Sequence, residues 1–271
     1  MDYIALFHSE VSAFRQAVRK AVRAGEGAPL VPSCPGWSIA DLIGHLGGVH
    51  RYVAHILREG LTEPPDHTDL TLYDLPADPA ALAAWPVPDR APNLGPVPAV
   101  LLDWFAEGAG ALEEQFRAGG PRRTVWTWSA EQSSGFWLRI QAIEAALHRW
   151  DAEGVTGGPA PVDRGLAADA VGHTFTVMAP FRRALKQAPP GTGERYRFRQ
   201  SDGPGEWTVR FEGDQVALEA DHDHGPAADA ELTGTASDLM LFLWNRIPAT
   251  RLAVTGDPKH FDRYFELVPP V

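Results

Sequence analysis

The chain has 271 residues, 44% of them hydrophobic and nine of them Trp, which is enough to fill the core of one large domain or two modest ones. Its formal net charge of -11 argues against a nucleic-acid binder, because counterion release needs clustered Lys and Arg that the sequence lacks. No apolar run approaches the roughly 18 to 20 residues of a membrane span, and the first residues, MDYIALFHSEVSAFRQAVRK, mix charged and apolar positions instead of forming a signal peptide, so a cytoplasmic protein is expected.

Ile4, Phe7, Val11, Phe14, Val18 and Val22 recur at steps of three and four and predict a helix from Asp2 to Arg23. After the Gly/Pro-rich break GEGAPLVPSCPGW, Ser38 stands at an N-cap position with Asp41 three residues on, and a stripe from Ile39 to Ile56 carries a second helix to Arg58. Residues 60–96 are rich in proline and have no sustained period, so they read as a long connection, either a mobile cover or a packed functional loop. Helices follow at Val97–Phe116, from the aromatic stretch VWTWSAEQSSGFW to Asp151 with Gly154 as terminator, and at Asp163–Gln187.

Beyond the turn residues Pro189, Pro190, Gly191 and Gly193 the period changes to two. Tyr196 and Phe198, then Trp207, Val209 and Phe211, then Val216 and Leu218 predict short antiparallel strands joined at DGPG and EGDQ. A strand at Ala230–Thr233, a helix at Ser237–Asn245, a strand at Arg251–Thr255 and a last helix at Pro258–Phe265 complete the chain. The change of period sets the expected domains at 1–189, mainly helical, and 190–271, α+β with an antiparallel sheet.

Three residues draw attention as metal ligands. Glu144 and His148 are four apart on the apolar side of their helix, so their side chains point the same way one turn apart. His45 lies at the edge of the buried stripe of its helix, about 140 degrees round from His50. Two imidazoles and a carboxylate can hold a divalent metal with positions left open for catalysis. Spacing by itself leaves Glu144 and His148 equally readable as an i, i+4 ion pair. Cys34 is the chain's one cysteine, so it forms no intrachain disulfide, and with no activating partner in sight it reads as a small buried residue at a helix entrance in preference to a catalytic nucleophile. Asp221, His222, Asp223 and His224 alternate along a strand end and diverge, which favours an exposed turn over a metal site. Arg149 and Asp151 read as helix-surface or interdomain contacts.

The segments CPGWSIADLIGHL and RIQAIEAALHRWDAEG resemble the mycothiol-dependent maleylpyruvate isomerase family, and the tail ASDLMLFLWNRIPATRLAVTGDPKHFDRYF is similar to that family's C-terminal domain. The resemblance implies a DinB-like four-helix bundle followed by a smaller sterol-carrier-like domain. It also implies a divalent metal, generally zinc, on His45, Glu144 and His148, with mycothiol as co-substrate and a small electrophile as substrate. Arg246 in LWNR is the candidate for binding an anion of substrate or mycothiol, with a surface ion pair as its plainer reading. Many relatives carry His where this chain has Ile143, and Gly where it has Asn245, a residue that tolerates the left-handed conformation. The expected function is a zinc-dependent, mycothiol-using S-transferase. The alternatives are a cis–trans isomerase of maleylpyruvate type, a non-catalytic metal-containing ligand-binding protein, and a non-haem iron oxygenase.

Overall fold

The computed structural model describes residues 1–23, 25–219, 227–257 and 259–270. The chain divides into two compact units, Met1–Ala160 and Pro161–Val271. In the first, α1 (Tyr3–Ala21), α2 (Ile39–Glu59), α4 (Ala99–Gly119) and α5 (Ser134–Gly154) form a four-helix bundle, with a short α3 (Pro79–Ala83) in the connection between α2 and α4. α1 packs along α5 and α2 along α4, while α2 also meets α5 and α1 meets α4.

Local chemistry starts these helices where the sequence suggests. The Asp2 carboxylate accepts from the Ala5 N–H at 3.0 Å, and the Ser133 hydroxyl accepts from the Phe136 N–H at 3.1 Å. At α2 the capping box is complete: the Ser38 hydroxyl accepts from the Asp41 N–H at 3.3 Å, and the Asp41 carboxylate accepts from the Ser38 N–H at 2.8 Å. The expected stripes are buried, with Phe7, Phe14 and Val18 of α1, Leu42, Ile43 and Leu46 of α2, and Leu101, Phe105 and Leu112 of α4 fully enclosed. Gly47 lets α2 approach α4, since a β-carbon there would lie 2.3 Å from the Trp104 ring. α5 is buried on nearly every side.

His50 of α2 is fully buried between Phe7, edge-on at 5.2 Å, and Phe105 at 5.4 Å. Neither ring nitrogen has a hydrogen-bond partner. Burial, and then the neighbouring charges of His45, Arg51 and His148, pushes its pKa from 6.5 down to about 3. The folded state therefore keeps this ring neutral while the unfolded chain takes up a proton below pH 6.5, so stability falls with pH between those two values by about 1.4 kcal/mol per unit. A His50→Leu variant is expected to match or exceed wild-type stability at pH 7 and to lose less between pH 7 and pH 5. Urea unfolding at both values checks this, and equal losses for the two proteins would count against it.

The second unit opens with α6 (Arg164–His173), which passes through a π-turn at Thr174–Met178 into α7 (Ala179–Lys186). Five strands follow: β1 (Gly191–Gln200), β2 (Glu206–Gly213), β3 (Gln215–Glu219), β4 (Ala230–Gly234) and β5 (Ala253–Gly256), with α8 (Ala236–Leu243) before β5 and α9 (Lys259–Leu267) last. The sheet order is β3-β2-β1-β4-β5. β1, β2 and β3 pair antiparallel as expected, but β4 takes the other edge of β1 in parallel, with Phe198 opposite Leu232, so the sheet is mixed. Alternation fixes which side chains face the core and says nothing of the direction in which a neighbouring strand runs. Tyr264 of α9 anchors this core between Tyr196, Phe198, Phe211 and Phe242.

Because α6 packs against α8, it belongs to the second unit. The change of period at residue 190 thus marks the passage from helix to strand inside that unit and not a border between units. The histidine-rich stretch at 221–224 and Pro258 lie outside the described residues. Among the described residues no helix is long and apolar enough to cross a membrane.

Candidate metal centre and adjoining cleft

The centre lies in the first unit, where α2 presents His45 and α5 presents His148. Their rings stand nearly perpendicular, 80° apart in plane, with centroids 5.2 Å apart. Trp37 flanks His45 edge-on at 5.1 Å. His148 is buried, and its Nδ1 lies 3.0 Å from the Asp151 Oδ2, so the carboxylate as acceptor calls for the Nδ1–H tautomer and leaves Nε2 with the lone pair. His148 thus pairs at Nδ1 with Asp151, while Glu144 one turn away remains close enough for an electrostatic interaction with the same ring.

Asp151 has no solvent exposure, and two further donors reach it: the Ser33 hydroxyl to Oδ1 at 2.6 Å and the Cys34 thiol to Oδ2 at 3.3 Å. Among the described residues, the ligand atoms of Cys34, His148 and Asp151 lie within 4.8 Å of one another. This grouping shares only His148 with the trio expected from sequence. It is a hydrogen-bonded support on the Nδ1 side of that ring, and Asp151 is the residue that sequence reasoning missed.

Arg149 is likewise no surface contact. Its guanidinium is buried, donating from Nε to the Glu10 carboxylate at 2.8 Å and from Nη1 to the Glu153 carboxylate at 2.8 Å and the Ala160 carbonyl at 2.6 Å. The apolar stripe of α5 suggested a free opposite face, but the helix is enclosed on nearly every side, and Arg149, His148 and Asp151 find their partners inside.

Glu144 lies one turn before His148 and is half-buried, with the Gln141 amide donating to it at 3.3 Å. Burial raises its carboxyl above the ordinary range, against the opposing pull of His148 and Gln141. A carboxylate in that position is stabilised by a bound cation. His45, Glu144 and His148 are donor types that a divalent metal takes, two neighbouring imidazoles set edge to face and an acid whose anion burial disfavours, but the grouping of ligand atoms within 4.8 Å found among the described residues is Cys34, His148 and Asp151 and not this trio.

His45 also lines a cleft of about 560 Å³. Its walls come from α2, from Trp104 of α4, and from the proline-rich connection, which contributes Tyr73 and Trp85. That connection is packed in place. The Asn93 side chain donates to the Asp41 carboxylate and, at 3.0 Å, to the Val87 carbonyl, while the Asn93 N–H donates to Asp41 at 3.0 Å and the Ser38 hydroxyl donates to the Asn93 carbonyl at 2.7 Å. Burial works to raise the Asp41 carboxyl, but the hydrogen bonds from Asn93 and Ser38 outweigh it and hold the group below the usual carboxylate range.

Arg246 lies in the second unit just after α8, half-buried, with Nη1 donating to the Trp244 carbonyl at 2.9 Å. Asn245 before it adopts the left-handed conformation at φ 56°, which Asn tolerates better than most residues.

Comparison with solved structures finds the crystal structure of the mycothiol-dependent maleylpyruvate isomerase and that of a histidine-to-alanine mutant of it. Each superposes with a TM-score of 0.56 at 12% identity, covering 94% of this chain and 92% of that chain, which shows a shared fold. No curated protein matches the sequence. The family model of the mycothiol maleylpyruvate isomerase N-terminal domain matches residues 7–153, and that of the family's C-terminal domain matches residues 165–263. On these matches, in order and over most of its length, the chain belongs to the mycothiol-dependent maleylpyruvate isomerase family.

Proposed function

We propose that this chain is a cytoplasmic, zinc-dependent enzyme that activates the thiol of mycothiol for attack on a small electrophile. The observation that carries the reading is the facing pair His45 and His148, with His148 backed by the fully buried Asp151. His45, Glu144 and His148 would hold the metal, and a thiol of ordinary pKa near 8.5 bound to such a cation is largely thiolate at neutral pH. Asp151 keeps the His148 lone pair on Nε2. Ser33 and Cys34 hold Asp151 in turn, so Cys34 is a supporting donor and the attacking sulfur comes from the co-substrate. Arg246 is the candidate for pairing with an anionic group of substrate or mycothiol.

The leading outcome is S-transfer, in which the thiolate forms a stable thioether. The second reading, favoured by the family match, is isomerisation: addition to a cis double bond gives a single bond that rotates, and elimination returns the trans isomer and the thiol. Mass spectrometry of products from mycothiol and candidate electrophiles separates the two. A thioether marks transfer, and a product of unchanged mass marks isomerisation. Metal without any mycothiol-dependent product would favour a ligand-binding protein, and oxygen uptake coupled to turnover would favour iron.

The supporting carboxylate has its own test. An Asp151→Asn variant is expected to bind zinc about 10- to 100-fold more weakly, in line with the loss of a carboxylate behind a ligating histidine. Competition with a chromophoric chelator measures it, and wild-type affinity in the variant would remove Asp151 from the centre.

A further inference from the structure

The cleft beside His45 bears on which electrophile the thiol meets. Its lining is mostly apolar, and three of its rings have their polar tips engaged by backbone carbonyls. The Tyr73 hydroxyl donates to the His67 carbonyl at 3.0 Å, the Tyr52 hydroxyl reaches the Pro65 carbonyl at 3.5 Å, and the Trp104 indole N–H donates to the Tyr73 carbonyl at 2.8 Å. Trp85 meets Trp104 edge-on at 5.2 Å and closes that wall. Beside the imidazoles of His45 and His67, the lining is largely apolar and aromatic surface, poorly matched to a polyhydroxylated ligand and well matched to a flat apolar one.

Charge points the same way. Among the described residues no Lys or Arg lines the cleft, and its carboxylate, Asp41, is held ionised by Asn93 and Ser38. Arg51 stacks on the Trp104 ring at 4.2 Å, but it lines a separate cavity of about 280 Å³ and lies 3.6 Å from Asp74 and 4.0 Å from Glu107. Away from the metal that His45 would help to hold, a dicarboxylate in the cleft would meet the Asp41 carboxylate and the negative faces of aromatic rings, with no Lys or Arg among the described lining residues.

We propose that the cleft seats a neutral, apolar electrophile of aromatic size, so that the enzyme prefers such compounds to dicarboxylates. The proposal rests on the thiol-activating reading above and names its substrate class. The volume of about 560 Å³ suits one or two fused or substituted rings. For a halo-arene the step balances simply. The thiol proton goes to solvent, the sulfur bonds to the ring carbon that bears the halogen, and the halide leaves with the electron pair of its bond.

The test uses the zinc-loaded full chain with mycothiol and compares 1-chloro-2,4-dinitrobenzene with maleylpyruvate, each rate divided by its uncatalysed counterpart. At least a tenfold preference for the arene is expected, and an equal or reversed preference overturns the proposal. A second arm needs no chemistry: the neutral fluorophore N-phenyl-1-naphthylamine should bind the protein and be displaced by the arene. Gly48→Leu fills the cleft from α2 at a position where an added β-carbon meets only the Tyr73 ring, at 3.8 Å. It should weaken fluorophore binding at least tenfold while keeping its zinc. Leu75→Arg, which sets a cation at another point of the lining, should do the same if Gly48→Leu misfolds. A fluorophore that does not bind, or that binds both variants as tightly as wild type, overturns the assignment. If neither these electrophiles nor iodoacetamide reacts faster with mycothiol in the enzyme's presence, the thiol-activating reading fails, and the fluorophore arm still decides what the cleft accepts.

Discussion

The His148→Ala protein is expected to purify without stoichiometric metal and to convert mycothiol and substrate at the uncatalysed rate. Three relations converge on this ring: Nδ1 on Asp151 at 3.0 Å, the His45 ring at 5.2 Å, and the electrostatic pull on Glu144. Without it, the metal would keep only His45 and Glu144, too few ligands for a stable four-coordinate site. Asp151 would be left as a buried carboxylate with only the Ser33 and Cys34 donors. Loss of metal-assisted thiol activation, worth several kcal/mol, corresponds to a fall in kcat/KM of about 10³-fold or more. Glu144→Gln keeps both imidazoles and is expected to fall between this variant and wild type in metal affinity. Elemental analysis beside steady-state kinetics decides the matter, with far-UV circular dichroism as the folding control. A His148→Ala protein that retains both metal and turnover would place the centre elsewhere.

The largest expected effect on stability is at Arg149. Its side chain is 5% exposed and that of Glu10 is 10% exposed, so the pair that joins α5 to α1 is closed off from water. Burial disfavours the guanidinium charge, yet Glu10 and Glu153 outweigh it and hold the group above its ordinary pKa. Arg149→Met leaves Glu10 facing the interior alone and is expected to destabilise the bundle by about 3–5 kcal/mol in urea unfolding. The double variant Arg149→Met with Glu10→Leu removes both charges and is expected to recover most of that loss. A double variant as unstable as the single one would show that the guanidinium matters for its bond to the Ala160 carbonyl and not for its charge.

The helices of the bundle were legible because each joins a periodic apolar stripe to a local start signal, as with Ser38 and Asp41 ahead of Leu42, Ile43 and Leu46. The facing of His45 and His148 followed from the resemblance together with helical spacing. Asp151 was hidden because its meaning depends on Ser33 and Cys34, 118 and 117 residues away in sequence. Nothing local distinguishes it from a surface acid on a helix. The parallel pairing of β4 with β1 was hidden for a related reason, since strand direction follows from the path of the connection and not from the residues of the strand itself. The proline-rich connection was recognised as irregular and as a possible packed functional loop, but the clamp at Asn93 that fixes it was not visible from composition.

That clamp separates two inheritances. The proposed metal donors belong to α2 and α5, whereas much of the cleft wall belongs to a segment outside the four long helices, docked through Asn93 onto the first turn of α2. A lineage could exchange the segment between α2 and α4 as a cassette and acquire a new appetite for substrates while its donor helices stayed untouched. Grafting that segment between relatives, with the Asn93 and Asp41 pair retained, is the corresponding route for redirecting the enzyme by design.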